Sequence, residues 1–422
     1  MVSLKKSCLW ACALSVTGFS LLLGKPGLAA ETQLVSVTPS FSSDTKEAKN
    51  PSMSSDGSSV VFESLSDNYD GAIVADNDDA DNLPNKPPQN LRDVFLWNRG
   101  SGQVSLISVS DDGTSSGDGS SFNPVISQDG DQVAFVSAAN NLDISSPATI
   151  TKISSQIYLY NVGGGTTKLL TPNFQNNDAG NGDSSDPSIS NNGKIVFTTD
   201  ARDLIDDTKL CDVNGSSEVY ISDGSTVKLI SKSKLAPSAI SGCNNPGDNY
   251  DDAAANSSSS KARISRDGNF VVFVSSANDL VSPAVEAAND FDDDLFLYDV
   301  AGDSVTMITK NAAGDNGGDL GTSEAASISA NGLTVVFESG ASDLTSINDS
   351  MGNTDAFAWT QVTGIVMLSQ NVSGDNGGNG FSLNASVSDD GTKVLFESNA
   401  SNLVAGFDNN FTTQVYMQDL LT

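Results

Sequence analysis

Apolar residues along this chain fall into short, strand-length runs separated by segments rich in Gly, Asn, Asp and Ser. One such pattern recurs six times. It reads PSMSSDGSSVVFES from Pro51 to Ser64. It returns from Pro124 (PVISQDGDQVAFVS), Pro187 (PSISNNGKIVFTT), Ala262 (ARISRDGNFVVFVS), Ala326 (ASISANGLTVVFES) and Ala385 (ASVSDDGTKVLFES). Successive copies start 73, 63, 75, 64 and 59 residues apart, the spacing of stacked supersecondary units.

Each copy predicts four strands. A short first strand ends at Ser, and an Asp-Gly or Asn-Gly dipeptide supplies a hairpin turn. The second strand carries a phenylalanine: Phe62, Phe135, Phe197, Phe273, Phe337 and Phe396. Core packing accounts for these six rings. A long polar loop leads to a third strand (DVFLW at Asp93, QIYLY at Gln156, EVYIS at Glu218, DLFLY at Asp294, DAFAW at Asp355, QVYMQ at Gln414). A Gly-containing turn leads to a fourth, such as VSLIS or VKLIS. Four strands per unit around an axis make a propeller blade. The expected fold is all-β: a six-bladed β-propeller with four-stranded blades, spanning residues 31–422 as one domain. The sixth copy reaches Thr422 without a fourth strand, while QLVSV from Gln33 to Val37 resembles the missing one. The expectation is that this N-terminal strand pairs with Val415–Gln418 and closes the ring, removing an exposed sheet edge.

The motif P-S-[IM]-S-x-[DN]-G, then V-x-F-x-S, then a D-[VL]-F strand, resembles the TolB-like, WD-repeat-like propeller repeats of bacterial exported proteins. The resemblance covers residues 31 to 422. It implies protein-binding or scaffold roles, as in some members, or hydrolase or lyase chemistry, as in others. TolB itself carries a further N-terminal domain ahead of its propeller. This chain is read as having none, so a TolB-type role does not carry over.

Residues 1–30 read as a signal peptide. Lys5 and Lys6 precede an uncharged, largely apolar stretch from Cys8 to Leu23, which Gly24, Lys25 and Pro26 end before the small residues at Ala29 and Ala30. A membrane span needs about 20 apolar residues, more than any stretch here supplies. The expected location is outside the cytoplasm, periplasmic or secreted. Removing three signal lysines leaves 18 basic against 53 acidic residues, a net charge near −35. That field repels nucleic acid and anionic lipid and favours cations or basic partners. We read the chain as a monomer binding a protein or glycan partner.

In a four-stranded blade the second-to-third loops and the blade-to-blade crossovers share one face. Those are the long loops here, and they hold most of the acids. The face is either a solvated acidic surface or a binding face for cations or a basic partner. Two sets of acids recur in register. Asp212, Asn214 and Glu218 stand at positions one, three and seven of a loop before the third strand. Asp349 and Asp355 repeat its ends, Asp408 and Asn410 form a weaker copy, and Asp290, Asp292 and Asp294 form a related cluster. Alternating oxygen ligands suit Ca²⁺ as a cofactor, whereas Asx-turns would explain the same residues without metal. The second set comprises Asp248, Asp315 and Asp375 in Gly-Asp-Asn crossover loops. They are either tight-turn residues or ligand-binding groups at the mouth of a central channel.

The chain contains no histidine, which removes Ser-His-Asp and Cys-His catalysis and His general bases. The one G-x-S-x-G match, Gly113–Gly117, has no histidine anywhere in the chain to serve it, and no G-x-x-x-x-G-K-[ST] loop is present. A non-catalytic binding scaffold, with Ca²⁺ stabilisation as an option, is therefore preferred. The alternative is a carboxylate-based, glycan-active hydrolase or lyase. Cys8 and Cys12 leave with the signal. Cys211 and Cys243 remain, an even pair in an oxidising compartment and in loops of one face, and should form a disulfide.

Overall fold

The computed structural model describes residues 33–36, 46–66, 91–143, 154–206, 208–243, 250–281, 292–314, 316–321, 326–349, 352–407 and 409–420. The chain divides into two compact units, Met1–Leu34 and Val35–Thr422. Only Gln33 and Leu34 of the first are described. The signal-peptide reading of residues 1–30 therefore lies outside the described residues. Among them no helix is long and apolar enough to cross a membrane.

The second unit is all-β, with a single 3₁₀ turn at Pro237–Ala239 among the described residues. The first sheet comprises β1 (Ala48–Met53), β2 (Ser59–Ser64), β3 (Asp93–Asn98) and β4 (Gln103–Leu106). The second comprises β5 (Ser121–Ile126), β6 (Gln132–Ser137), β7 (Gln156–Asn161) and β8 (Thr166–Leu169). The third contains β9 (Ser184–Ile189), β10 (Ile195–Thr199), β12 (Glu218–Ser222) and β13 (Val227–Leu229). A separate parallel pair joins β11 (Leu210–Cys211) to β14 (Asp252–Ala253). The fourth sheet runs β15 (Ser259–Ile264), β16 (Phe270–Ser275), β17 (Asp294–Asp299), β18 (Ser304–Met307). The fifth runs β19 (Ser327–Ile328), β20 (Thr334–Ser339), β21 (Asp355–Thr360), β22 (Gly364–Met367). The last has three strands, β23 (Ser382–Val387), β24 (Lys393–Ser398) and β25 (Gln414–Asp419). Five four-stranded antiparallel meanders and one of three strands match the expected repeat. The β11–β14 pair was not foreseen; its counterpart beside the fifth sheet is a single parallel bridge, Asn348–Asn376.

The same aromatic contact recurs in all six meanders. Each second-strand Phe lies directly across from, and stacks on, a third-strand ring. The pairs are Phe62–Phe95, Phe135–Tyr158, Phe197–Tyr220, Phe273–Phe296, Phe337–Phe357 and Phe396–Tyr416, with centroids 5.6–6.0 Å apart. These rings are buried or, at Tyr416, half-buried. Offset stacking of this kind adds about 0.5–1.5 kcal/mol to the gain from burying the rings.

Each sheet presents one face to its successor. Val61, Val94, Leu96 and Ile107 of the first sheet pack on Val133, Phe135 and Tyr158 of the second. Four further clusters join the second sheet to the third, the third to the fourth, the fourth to the fifth and the fifth to the last. At the last sheet the equivalent outward positions, Leu395, Val415 and Met417, are exposed. At the first sheet the inward positions Phe62, Phe95 and Trp97 are buried, with Val35 against them.

The expected pairing of Gln33–Val37 with β25 is not present among the described residues. Gln33–Ser36 form no strand, and Val37 lies outside the description. The last sheet ends at β25, leaving a groove of about 440 Å³ lined by Leu368, Phe396, Leu403 and Tyr416.

The Asp-Gly and Asn-Gly hairpins tie neighbouring sheets together. Ser54, Ser127, Ser190, Ser265, Ser329 and Ser388 each donate a hydroxyl to the Asp or Asn two residues on. The tips then bond from one sheet to the next: Ser55 N to Gln128 O, Asn191 N to Arg266 O, Asp267 N to Ala330 O and Ala330 N to Asp389 O. Arg266 also pairs with Asp389, across the intervening tip.

Phe273, fully buried and stacked on Phe296, should make Phe273→Ala one of the more damaging substitutions, costing about 3–5 kcal/mol. Chemical denaturation checks this; a loss below about 1 kcal/mol would contradict the stacked pair as the core of the repeat.

Candidate functional site

The first strands of successive sheets lie side by side and share a backbone irregularity. The register slips at Lys49/Ser52, Phe122/Val125, Ser260/Arg263 and Leu383/Ser386, and in β9 opposite Val196/Thr198. Within each slip one residue adopts the left-handed conformation: Asn50, Asn123, Asp186, Lys261 and Asn384, with φ between 49 and 54°. Asn and Asp tolerate that region; Lys rarely does. Bulges bend a strand and re-aim its side chains, and they gather beside functional sites.

These bulges shape a cleft of about 390 Å³. It is lined by Asn50, Pro51, Ser52, Asn123, Pro124, Val125, Asp186, Pro187, Ser188 and Arg263, from four adjacent first strands. Its walls are held by polar contacts. Asn50 Nδ2 donates to Asn123 Oδ1 (2.9 Å) and Glu63 Oε2 (3.1 Å), and Asn123 N donates to the same carboxylate (2.7 Å). Buried Glu63 also faces Arg92 at 3.5 Å and Lys49 at 3.8 Å. Ser52 and Ser188 accept the backbone N–H groups of Ile126 and Ile264 on neighbouring sheets. Amides, hydroxyls, one carboxylate (Asp186) and one guanidinium (Arg263) thus converge on one concave surface. Sequence reading passed over the cleft, although the Asn-Pro and Asp-Pro dipeptides ahead of the hairpins were its signal.

The expected metal ligands divide. Glu218, Asp294 and Asp355 are buried at the start of third strands, and so are Asp93 and Gln156. Each accepts a hydroxyl from the fourth-strand end: Ser231, Thr309, Ser369, Ser108 and Thr171, at 2.5–2.7 Å. The same hydroxyls accept the next backbone N–H of the third strand. Because Gln156 fills the position equally, the lock requires an acceptor and not a charge. Asp212 Oδ1 accepts Gly215 N, and Asn214 accepts Ser216 N while donating to Ala255 O, as Asx-turns do. Arg202 lies 3.9 Å from Asp212. Burial pushes Glu218 well above the ordinary carboxylate range, with Asp212 and Asp279 adding to the effect. Burial likewise pushes Asp355 up to about 7; Ser369 opposes this and Asp349 beside it reinforces it. Asp292 is exposed, and Asn410 sits in a left-handed turn. Asp290 and Asp408 lie outside the described residues.

Of the crossover acids, Asp248 and Asp315 lie outside the described residues. Asp375 occupies an exposed turn where Asn371 Nδ2 donates to it at 2.9 Å. That turn borders the groove beside β25, not the cleft on the first strands.

The long loops are stitched to each other in a way that was not anticipated. Asp118, Asn181, Asn256, Asp319 and Asn379 in the crossovers exchange paired side-chain-to-backbone bonds with the second-to-third loops. The bonded N–H groups belong to Asn140, Arg202, Asn278, Ser342 and Ser401, and the returning acceptors are Asn141, Asp203, Asp279, Asp343 and Asn402. Several acids of the long-loop face therefore serve the backbone. The recurring Ala-x-[Asp/Asn]-Leu at Ala139, Ala201, Ala277, Ala341 and Ala400 was the available signal.

Cys211 and Cys243 form a disulfide, with Cα atoms 5.8 Å apart. Both are buried in a small apolar cluster with Ala253, Ile240 and Tyr250, formed as β11 docks on β14.

Two outcomes follow from these contacts. Glu218→Gln keeps the acceptor for Ser231 and removes a buried charge, so it should melt at or above the wild-type temperature at pH 8. Glu218→Ala should lose about 1–3 kcal/mol. Equal losses from both would refute the lock. Replacing both Cys211 and Cys243 by Ser should lower stability by about 3–4 kcal/mol, measured by denaturant titration, as closure of a loop of this length implies.

No family model and no curated protein matches the sequence. Solved structures do resemble it. TolB from Acinetobacter baumannii is 16% identical, over 77% of this chain and 54% of that one, with a TM-score of 0.37. The β-propeller domain of the Trilobed protease from Pyrococcus furiosus is 11% identical over 88% and 83%, with a TM-score of 0.44. Oligogalacturonate lyase from Vibrio parahaemolyticus is 11% identical over 87% and 88%, with a TM-score of 0.38. At such identities and scores the chain is similar to TolB and related β-propellers in its kind of strand architecture, and the likeness carries nothing about activity.

Proposed function

We propose that this chain is an exported, six-bladed, TolB-like propeller that works as a binding scaffold without catalysing a reaction. It would hold a segment of a protein partner in the cleft of its first strands. The observation that carries the reading is the cleft itself. Consecutive sheets each contribute a left-handed bulge residue, and Asp186 and Arg263 offer opposite charges beside amides and hydroxyls. Such a surface suits a peptide backbone with polar side chains. The acidic long loops would add attraction for a basic partner.

Ring closure belongs to the same proposal. Leu395, Val415 and Met417 stand exposed at the positions that Val61, Val94 and Leu96 use to pack on the next sheet. Phe62, Phe95 and Trp97 occupy the receiving positions of the first sheet. Val35 touches that surface as Ile107 touches the second sheet. Ser36 would then stand where Ser108 locks Asp93, opposite Gln414. In this reading the segment Gln33–Val37 completes the last blade along β25.

Two measurements test the proposal. A chain carrying Ser36→Cys and Gln414→Cys should form a second disulfide in an oxidising buffer, read by intact mass; free thiols at both positions would reject closure through this segment. For the cleft, a partner captured from the native envelope or medium by the wild type should be lost with Arg263→Glu and kept with Asp375→Ala. Retention by Arg263→Glu would place binding elsewhere.

A further inference from the structure

We propose that Asp349 and Asp355 bind one calcium ion in the notch over Gly377, at the start of β21. Asp355 is fully buried; its Oδ1 receives the Ser369 hydroxyl, while its Oδ2 is buried without a hydrogen-bond donor. A β-carbon placed on Gly377 would lie 3.1 Å from both Asp349 Oδ1 and Asp355 Oδ2. The two oxygens thus converge on the volume that glycine leaves open. Asp349 is itself buried. Two buried carboxylates converging on one point require positive charge between them, either a proton or a cation.

The other sheets show why this position differs. At Glu218 the residue six places earlier is also an acid, Asp212, but Arg202 supplies the charge there. Ala254 occupies the place of Gly377 in the crossover pairing. At Asp294 the facing residue is a glycine, Gly317, but Ala288 stands six places earlier. Among the described residues, only the fifth sheet combines two acids with a glycine notch. Gly377 N bonds Asn348 O, holding the notch beside Asp349.

Calcium is favoured by the chemistry of the donors. Carboxylate oxygens are hard ligands, and Ca²⁺ accepts six to eight oxygens in irregular arrangements, whereas Mg²⁺ demands a near-ideal octahedron. No group of three acidic, Cys or His side chains that could hold a metal occurs among the described residues, so carbonyl oxygens and water would complete the shell. The inference does not depend on the binding-scaffold reading.

Calorimetric titration of the metal-free, full-length protein with CaCl₂ tests it. The expected result is one Ca²⁺ per chain, with Mg²⁺ competing poorly. Asp349→Asn and Gly377→Ala should each weaken binding by roughly tenfold or more, since one removes a ligand and the other fills the notch. Gly377 is outside the left-handed region, so alanine suits its backbone, and near-ultraviolet circular dichroism verifies that the variant folds. Absence of stoichiometric Ca²⁺ binding by the wild type would mean that a shared proton satisfies the pair, and would overturn the proposal. So would undiminished affinity in Gly377→Ala.

Discussion

The stacked pair formed by a second-strand phenylalanine and the ring across from it on the third strand is the contact on which every repeat is built. It fixes register between the two central strands, because a slip of one residue would send one ring of the pair to the opposite face and break the stack. It also gives each sheet its bulk toward the preceding one. Phe135 and Tyr158 receive Val61, Val94 and Leu96, and the same relation returns at four later junctions. A lone meander of four strands could not bury both faces. Stacking supplies the missing partner, and stability becomes a property of neighbours.

Once the rings set the spacing, polar groups must serve the backbone where the sheets end. Hydroxyl-to-acid locks close the third and fourth strands, Ser-x-[Asp/Asn]-Gly turns close the first and second, and reciprocal Asx contacts bind crossover to loop. Side chains of Ser, Thr, Asn and Asp suit this because they reach nearby N–H groups without long, entropically costly chains. Much of the acidity that looks like a binding face is explained in this way. What is left over is specific. Asp186 and Arg263 line a cleft, and Asp349 and Asp355 converge on a glycine, in places where the repeat itself demands no charge.

The first and last sheets break the pattern in complementary ways. Leu395, Val415 and Met417 lack a covering sheet, and β25, paired with β24 on one edge, has no strand on its other edge among the described residues. An uncovered edge and face are liabilities for a β protein. Phe62, Phe95 and Trp97 on the first sheet are buried, with Val35 packed against them.

The sequence by itself determined the repeat, its strand order and its aromatic core. Alternation of period two, Asp-Gly turns and a recurring Phe are local signals whose physical consequences do not depend on distant residues. It also specified which cysteines could pair. It did not decide what Glu218, Asp294 and Asp355 do, because one carboxylate pattern serves metal binding and hydroxyl capture alike. Only the approach of Ser231, Thr309 and Ser369 from the fourth strand separated the two. The cleft was likewise invisible. Asn50, Asn123 and Asp186 lie more than sixty residues apart, and only the side-by-side packing of first strands brings them onto one surface. Tertiary structure alone decided that Asp349 and Asp355 meet at Gly377, since the crossover that carries the glycine returns to them from outside their own loop.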